Sequence, residues 1–388
     1  MRSDEPSGAG TDVFARLCPA APGWTLDWDA AVRALPWLRT LEGVPQDAEH
    51  HAEGDVAVHT RMAAEALAAL PEWRARPVEE RVRLFATVLL HDAAKPETTR
   101  ADPVTGRLTA HGHSARGELT ARRVLWRLGA PSAWREHVAA LVRHHQVPFW
   151  ALERPTADLR AIAYRCSLLA GNRDLATLAR ADITGRICGD LDAVLENIAL
   201  FEEWCATEGC LDGPRAFAGD HARFAWFRHP ERDPSWAAHD DTRLTVTVMS
   251  GLPGSGKDTW VARNRPGVPV VSLDALRAEL GVAPTDDQRP VAAAAFARAR
   301  ELLRAGTDFV WNATNTTRRI RGQCTGLAAD YGARVEMVAL EAPRAALVAR
   351  NAARDRGAVP VAVLDRLAAK WEPPDLTEAH TVTHVATA

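Results

Sequence analysis

Two groups of residues in this 388-residue chain have the types and spacing of phosphate chemistry. The first is the run Gly251-Leu-Pro-Gly254-Ser255-Gly256-Lys257-Asp258-Thr259. Its glycines permit a tight turn whose backbone N–H groups converge on phosphate oxygens, and a helix starting there adds partial positive charge. Lys257 is placed to reach the outer phosphates of a bound nucleoside triphosphate. The pattern G-x-x-x-x-G-K-[ST] breaks at its last position, where Asp258 replaces the hydroxyl that normally ligates magnesium. A carboxylate there would hold the metal directly or through water, while repelling phosphate.

Downstream of this loop lie the residues that would turn nucleotide binding into phosphoryl transfer. Val270-Val-Ser-Leu-Asp274 places a carboxylate at the C-terminal end of an expected strand, where open α/β sheets carry their ligands, and Arg277 follows one turn later. Such a carboxylate accepts the proton of an attacking hydroxyl. The alternative is a helix N-cap. Another strand ends at Trp311-Asn-Ala-Thr-Asn315, followed by Arg318, Arg319 and Arg321. Arg350 and Arg354 stand four apart on one helical face, able to close over the donor nucleotide and stabilise the moving phosphoryl group. They are equally compatible with solvated surface.

The second group lies in the first half of the chain. His91-Asp92 ends an apolar helix and Lys95 comes three residues later, while a second His-Asp pair, His239-Asp240, has no other ligands in order around it. The first pair is distinguished by its company: His59 upstream, then His113 (with His111 nearby), His144-His145 and Asp182. Imidazoles and carboxylates from successive helices converge on one or two divalent ions, which activate water against phosphorus. Asp92 would be the bridge. Of His144 and His145, the second is favoured by its position before Gln146-Val147-Pro148. Lys95 and Arg186, the latter four residues after Asp182, would reach the phosphate oxygens.

Two kinds of scaffold are needed to position these groups. From about Trp28 to Cys205 apolar residues recur at three and four, as in Val56, His59, Ala63 and Leu67, or Val82, Phe85 and Leu89, which predicts helices. From Arg243 the pattern alternates strand and helix, with strands expected at Leu244–Met249, Val268–Leu273, Asp308–Trp311 and Arg334–Leu340, the signature of a parallel α/β sheet. The reading is an all-α domain over residues 1–212, an aromatic-rich connector over 213–242, and an α/β domain over 243–388. Residues 1–242 carry 28 basic and 35 acidic side chains (net −7) and residues 243–388 carry 19 and 15 (net +4), so neither half is a strongly basic nucleic-acid binder. A composition of 47% hydrophobic and 25% charged residues is that of a globular protein. No uncharged apolar run approaches the ~18 residues of a transmembrane span. Six scattered cysteines without a C-x-x-C pair suit a reducing cytoplasm. Only three of the 47 basic residues are lysines, and two of them, Lys95 and Lys257, lie inside the motifs.

The loop, the strand-end Asp274 with Arg277, and the later arginines together resemble the bacteriophage-type polynucleotide 5′-kinases over about residues 243–372. That resemblance implies Asp274 as general base for a 5′-hydroxyl, Arg277 on the substrate phosphate, and Arg350 and Arg354 on the donor. The order H…HD…H…H…D over about residues 45–205 resembles the HD phosphohydrolase superfamily. The Gly112-His113 and His145-Gln-Val-Pro148 contexts are similar to HD domains of tRNA nucleotidyltransferases. The combination resembles the bacterial HD-Pnk family. It implies an ATP- and magnesium-dependent 5′-OH polynucleotide kinase joined to a phosphohydrolase of 2′-phosphate or 2′,3′-cyclic phosphate ends. The phosphohydrolase would be loaded with Mn, Fe, Co, Ni, Cu or Zn. The expected partners are RNA or DNA ends, NTP and a sealing ligase, with no membrane. The alternatives are an HD nucleotidase regulated by an ATP-binding domain, and a P-loop kinase with a small-molecule acceptor.

Overall fold

The computed structural model describes residues 10–283, 285–353 and 358–387. The chain divides into two compact units, Met1–Ala216 and Phe217–Ala388. The first is helical apart from a two-residue antiparallel ribbon, β1 (Arg100–Ala101) and β2 (Leu108–Thr109).

The helix Val78–Leu90 forms the centre of the first unit. Every residue from Leu84 to Leu90 is buried, so this part of the helix has no solvent face, while its first turn, with Val78 and Glu79, is exposed. It packs against the helices Val56–Ala69, Ser132–His144 and Asn172–Thr184. Burial of each large side chain, such as Leu84, Phe85 or Leu89, contributes about 1.5–3 kcal/mol. The helix Val56–Ala69 starts where Asp55 accepts a hydrogen bond from the Val58 N–H at 2.9 Å, an N-cap. Two glycines allow close approach around this centre. A Cβ on Gly117 would lie 3.0 Å from Val142 Cγ1 and 3.5 Å from the His91 carbonyl oxygen, and one on Gly185 would lie 2.5 Å from Ala63 Cα.

The second unit carries a five-stranded parallel sheet in the order β4-β5-β3-β6-β7. Its strands are β3 (Leu244–Ser250), β4 (Val270–Ser272), β5 (Phe309–Asn312), β6 (Ala333–Glu341) and β7 (Thr381–Ala386). Both faces are covered. Val246, Val248, Phe309, Trp311, Val335 and Met337 lie in one apolar cluster, and Met249, Val310, Val338 and Leu340 in another, the period-two split of a buried parallel sheet. Four strands fall where the alternation predicts them. β7 was not anticipated: it is an edge strand pairing only with β6, and most of its residues are exposed. The stretch expected to connect the halves belongs to the second unit from Phe217 onward. Its helix Asp220–Arg228 buries Phe224 in the larger cluster, and Arg223 Nε donates to the Leu376 carbonyl at 3.0 Å.

Because β3 pairs with β5 on one side and β6 on the other, the chain reverses direction across the sheet beside β3. Ligands of open α/β sheets bind at such a switch point, beyond the strands' C-terminal ends. The run Gly251–Thr259 leaves β3 there.

Candidate metal centre and candidate phosphate site

Three of the four histidines that meet in the first unit are oriented by the same local device. His91 Nδ1 lies 2.6 Å from the Val88 carbonyl oxygen, His113 Nδ1 2.9 Å from that of Ala110, and His145 Nδ1 2.8 Å from that of Val142. In each case the partner is three residues earlier, at a helix end or the turn leading into a helix. A carbonyl only accepts, so each Nδ1 carries the proton and each Nε2 presents a lone pair. These Nε2 atoms converge. His113 Nε2 is 3.2 Å from His145 Nε2, and His91 Nε2 is 3.2 Å from His59 Nε2.

Carboxylates complete the cluster. Asp92 Oδ2 lies 3.2 Å from His91 Nε2 and 3.6 Å from His59 Nε2, while Asp92 Oδ1 lies 3.5 Å from His113 Nε2. Asp182 Oδ1 is 3.1 Å from His59 Nε2. The donor atoms form two trios, His59-His91-Asp182 and Asp92-His113-His145, with Asp92 also beside the first. Asp92 Oδ1 and Asp182 Oδ2 are buried without a hydrogen bond among the described residues. The facing lone pairs of His113 and His145 at 3.2 Å and the orphaned carboxylate oxygens are both unfavourable alone, and both are satisfied by cations between them. The residues fit one or two divalent ions.

The electrostatics favour the ligand forms of Asp92, Asp182, His113 and His145, whereas at His91 the neighbouring Asp92 and Asp182 carboxylates outweigh burial and raise the pKa. Burial, the largest single influence, would raise Asp92 and Asp182, yet the Lys95 ammonium with His91 and His113 around the first, and the Arg186 guanidinium with His59 and His91 around the second, together outweigh it and hold both carboxyls well below their ordinary range. His145 is pushed down to about 3, by burial first and then by the neighbouring imidazoles. Lys95 Nζ sits 2.8 Å from Asp92 Oδ2 and 2.7 Å from Gln46 Oε1. Arg186 contacts Asp182 Oδ1 through Nε at 3.0 Å and Nη2 at 2.7 Å, and stacks over the Phe149 ring at 4.9 Å. Both cations line a cavity of about 350 Å³ with His113, His51, Gln146 and Trp150.

His144 does not join the cluster. It is buried on the side of Arg165, Arg143 and Arg154, and burial together with those charges drives its pKa well down. Sequence reasoning missed three residues around the centre. Glu53 accepts a hydrogen bond from His51 Nδ1 at 2.8 Å and one from the Ile187 N–H at 2.9 Å, and lies 3.1 Å from His59 Nδ1, poorly aligned for a third. Gln46 braces Lys95. All three, Gln46, His51 and Glu53, lie in an irregular stretch before a helix, where no periodicity marks them.

In the second unit the glycine loop forms as expected. Gly251 has φ +153° and a Cβ there would lie 2.6 Å from the Leu340 carbonyl oxygen, while Gly256, at φ +93°, caps the helix Lys257–Asn264. Only glycine is comfortable at these angles. Lys257 Nζ donates to the Gly251 and Leu252 carbonyls at 2.9 and 3.2 Å. Ser255 is buried in the turn, and Asp258 and Thr259 face outward on the helix's first turn. Asn312, at the end of β5, donates through Nδ2 to Asp258 Oδ1 at 2.6 Å. The following segment braces the loop: the Gly251 N–H donates to the Thr314 carbonyl at 2.9 Å, and Asn315 Nδ2 donates to that of Met249 at 2.8 Å.

Asp274 lies two residues past the end of β4, inside the helix Leu273–Leu280. It is not the N-cap: Ser272 holds that place and accepts from the Ala275 N–H at 3.3 Å. Asp274 is exposed and ion-paired with Arg277, whose Nε donates to Gln288 Oε1 at 2.7 Å. Arg350 reaches the glycine loop, with Nη1 3.4 Å from the Gly254 carbonyl oxygen and 3.0 Å from Thr387 Oγ1. Arg354 lies outside the described residues. Arg321 is fully buried in a bidentate pair with Glu378 at 2.9 and 2.7 Å, and Arg318 holds Asp375 at 2.6 Å, so both fasten the segment that leads to β7.

Comparison with known proteins divides the same way. A family model described as an AAA domain matches residues 246–374. The matched residues all lie within the second unit. The N-terminal region is similar to tRNA nucleotidyltransferases. An A-adding tRNA nucleotidyltransferase of Deinococcus radiodurans is 33% identical over 192 residues, 47% of this chain and 42% of that protein. A multifunctional CCA protein of Halorhodospira halophila is 39% identical over 124 residues, 32% of this chain and 27% of that one. The chain thus spans less than half the length of these relatives. Among solved structures, a putative kinase from Chloroflexus aurantiacus aligns with TM-score 0.32 and 20% identity, covering 38% of this chain and 86% of that one.

Proposed function

We propose that the chain is a bifunctional nucleic-acid end-healing enzyme, with a metal-dependent phosphohydrolase in the first unit and an ATP-dependent 5′-OH polynucleotide kinase in the second. The observation that carries the first half is the convergence of imidazole Nε2 atoms on Asp92, at the wall of a cavity that also presents Lys95 and Arg186. A divalent ion held by His59, His91, Asp92, His113, His145 and Asp182 would supply the Lewis acidity that activates water for attack on phosphorus. Lys95 and Arg186 orient the phosphoester and offset its charge. At about 350 Å³ the cavity is in the size range of small-ligand sites. Relatives named as tRNA nucleotidyltransferases act on tRNA ends, which fits a 2′-phosphate or 2′,3′-cyclic phosphate at an RNA end.

In the second unit, the loop N–H groups and Lys257 hold the donor phosphates, with magnesium supplying further charge neutralisation. Asp274 takes the proton of the acceptor hydroxyl as it attacks the outer phosphorus. Arg277 orients Asp274 and meets the acceptor's phosphate, and Arg350, at Gly254, stabilises charge on the transferring group. Products bearing 5′-phosphate and 3′-hydroxyl ends suit a ligase. The test is transfer from labelled ATP to matched 5′-OH RNA and DNA oligonucleotides, run beside ring opening of 2′,3′-cyclic phosphate ends and release of phosphate from 2′-phosphate ends. Hydrolysis of free nucleotides without oligonucleotide phosphorylation would support a regulated nucleotidase instead, and phosphorylation of a small hydroxyl compound alone a metabolite kinase.

A further inference from the structure

In P-loop nucleotide enzymes magnesium is held by the Ser or Thr after the loop lysine and by an Asp ending a nearby strand. Both positions differ in this chain, and they differ in complementary ways. The residue after Lys257 is Asp258, a carboxylate where a hydroxyl is usual. The strand β5, which pairs directly with the loop strand β3 through Val246↔Phe309 and Val248↔Trp311, ends in Asn312, an amide where the carboxylate is usual. The two side chains touch, Asn312 Nδ2 donating to Asp258 Oδ1 at 2.6 Å.

We propose that the magnesium carboxylate has been transposed from strand to loop: Asp258 supplies the anionic oxygen, and Asn312 is the positioning residue that holds it. This rests on reading the second unit as a nucleotide-dependent phosphotransferase. The transposition keeps one carboxylate in the pair, so the charge facing the ion is unchanged. It also explains why the exchange is double. Asp258 with an aspartate at 312 would set two carboxylates at hydrogen-bond distance, which repel. Asn312 removes that conflict and points a donor at one oxygen of Asp258, leaving the other, on the first turn of the helix, to a hard cation. Oxygen donors of this kind suit magnesium. Asn312 is 8% exposed, so its amide is held by its surroundings, whereas Asp258 is exposed and reachable.

The experiment uses the full chain and a fluorescent ATP analogue, and measures its affinity in excess magnesium and in EDTA. The ratio of the two reports metal binding at the nucleotide independently of turnover and of the histidine-rich centre. Asp258→Ala is expected to lose at least about tenfold of the magnesium-dependent gain, and Asn312→Ala a comparable part, the usual cost of removing an orienting partner. Asn312→Asp alone should weaken binding in EDTA by adding a second carboxylate. The decisive variant is Asp258→Ser with Asn312→Asp, which restores the common arrangement and should recover the gain that Asp258→Ser alone lacks. A full magnesium gain in Asp258→Ala, or a double variant no better than Asp258→Ser, overturns the transposition while leaving the phosphotransferase reading intact. A wild-type chain that binds no nucleotide in either condition overturns both.

Discussion

Gly185 lies against the backbone of Ala63 so closely that a methyl group on it would sit 2.5 Å from both the Ala63 Cα and N. This contact joins the end of the helix Asn172–Thr184 to the middle of the helix Val56–Ala69, and so brings Asp182 within 3.1 Å of His59. Gly185→Ala must push the two helices apart. We expect a loss of about 1–3 kcal/mol of stability, the range for overpacking, and a weakened metal affinity measured by competition with a chelator. Unchanged metal affinity would show that the ligands re-form without the contact.

Each candidate site is built within its own unit, so the two proposed activities are expected to be separable. In Asp92→Ala the metal content of the purified protein, read by elemental analysis, should fall together with phosphohydrolase activity, while oligonucleotide phosphorylation persists. Lys95→Met should instead retain metal and lose turnover by roughly 10²–10³-fold, the cost of removing one electrostatic contact to the reacting group. Equal loss of metal and turnover in Lys95→Met would make the ammonium a structural partner of Asp92 alone.

Ser272 caps the helix that carries Asp274, so replacing the aspartate removes no cap. Asp274→Asn is therefore expected to leave the melting temperature and ATP affinity near wild type and to lower 5′-phosphorylation by about 10²–10⁴-fold, the worth of a positioned base. Near-normal turnover would remove Asp274 from the chemistry.

His380 gives the second unit a pH dependence of known sign. Its Nδ1 accepts from the Val335 N–H at 3.0 Å and its Nε2 lies 3.0 Å from His221 Nδ1. Burial, then the charges of Arg334 and His221, push its pKa down to about 4. Above pH 6.5 the ring is neutral in both folded and unfolded chains. Below that the unfolded chain binds a proton the folded one refuses, so stability falls with pH until about pH 4. The urea midpoint of the second unit should drop more steeply over this window in wild type than in His380→Asn; parallel curves would assign the effect to another group.

The candidate metal centre was legible in the sequence to the extent that its candidate ligands sit in or beside regular helices. Order and spacing singled out His59, His91, Asp92, His113 and Asp182, and the structure brings them together. Of His144 and His145, about 100° of rotation apart at a helix end, the one favoured by its place before Gln146-Val147-Pro148 is the one that packing brings beside Asp92 and His113. Gln46, His51 and Glu53 carry no pattern of their own and acquire meaning only from what folds over them. Asn312 was visible as a strand-end residue, but its bond to Asp258 joins positions 54 residues apart. β7 alternates weakly, Thr-Val-Thr-His-Val-Ala, because an edge strand in this sheet needs only half a hydrophobic face.

The central place of β3 has a consequence for the chain's synthesis. Val246 pairs with residues 63 and 89 positions later, at Phe309 and Val335, and β3 has no other neighbour in the sheet. Leu244–Ser250 contains no charge, proline or glycine, and it emerges from the ribosome well before either strand that will shield it. Such a segment is a template for intermolecular pairing while it waits. Newly made protein should consequently be most prone to aggregate when translation stalls between residues 250 and 333, and a chaperone that covers short apolar segments should be needed most in that interval.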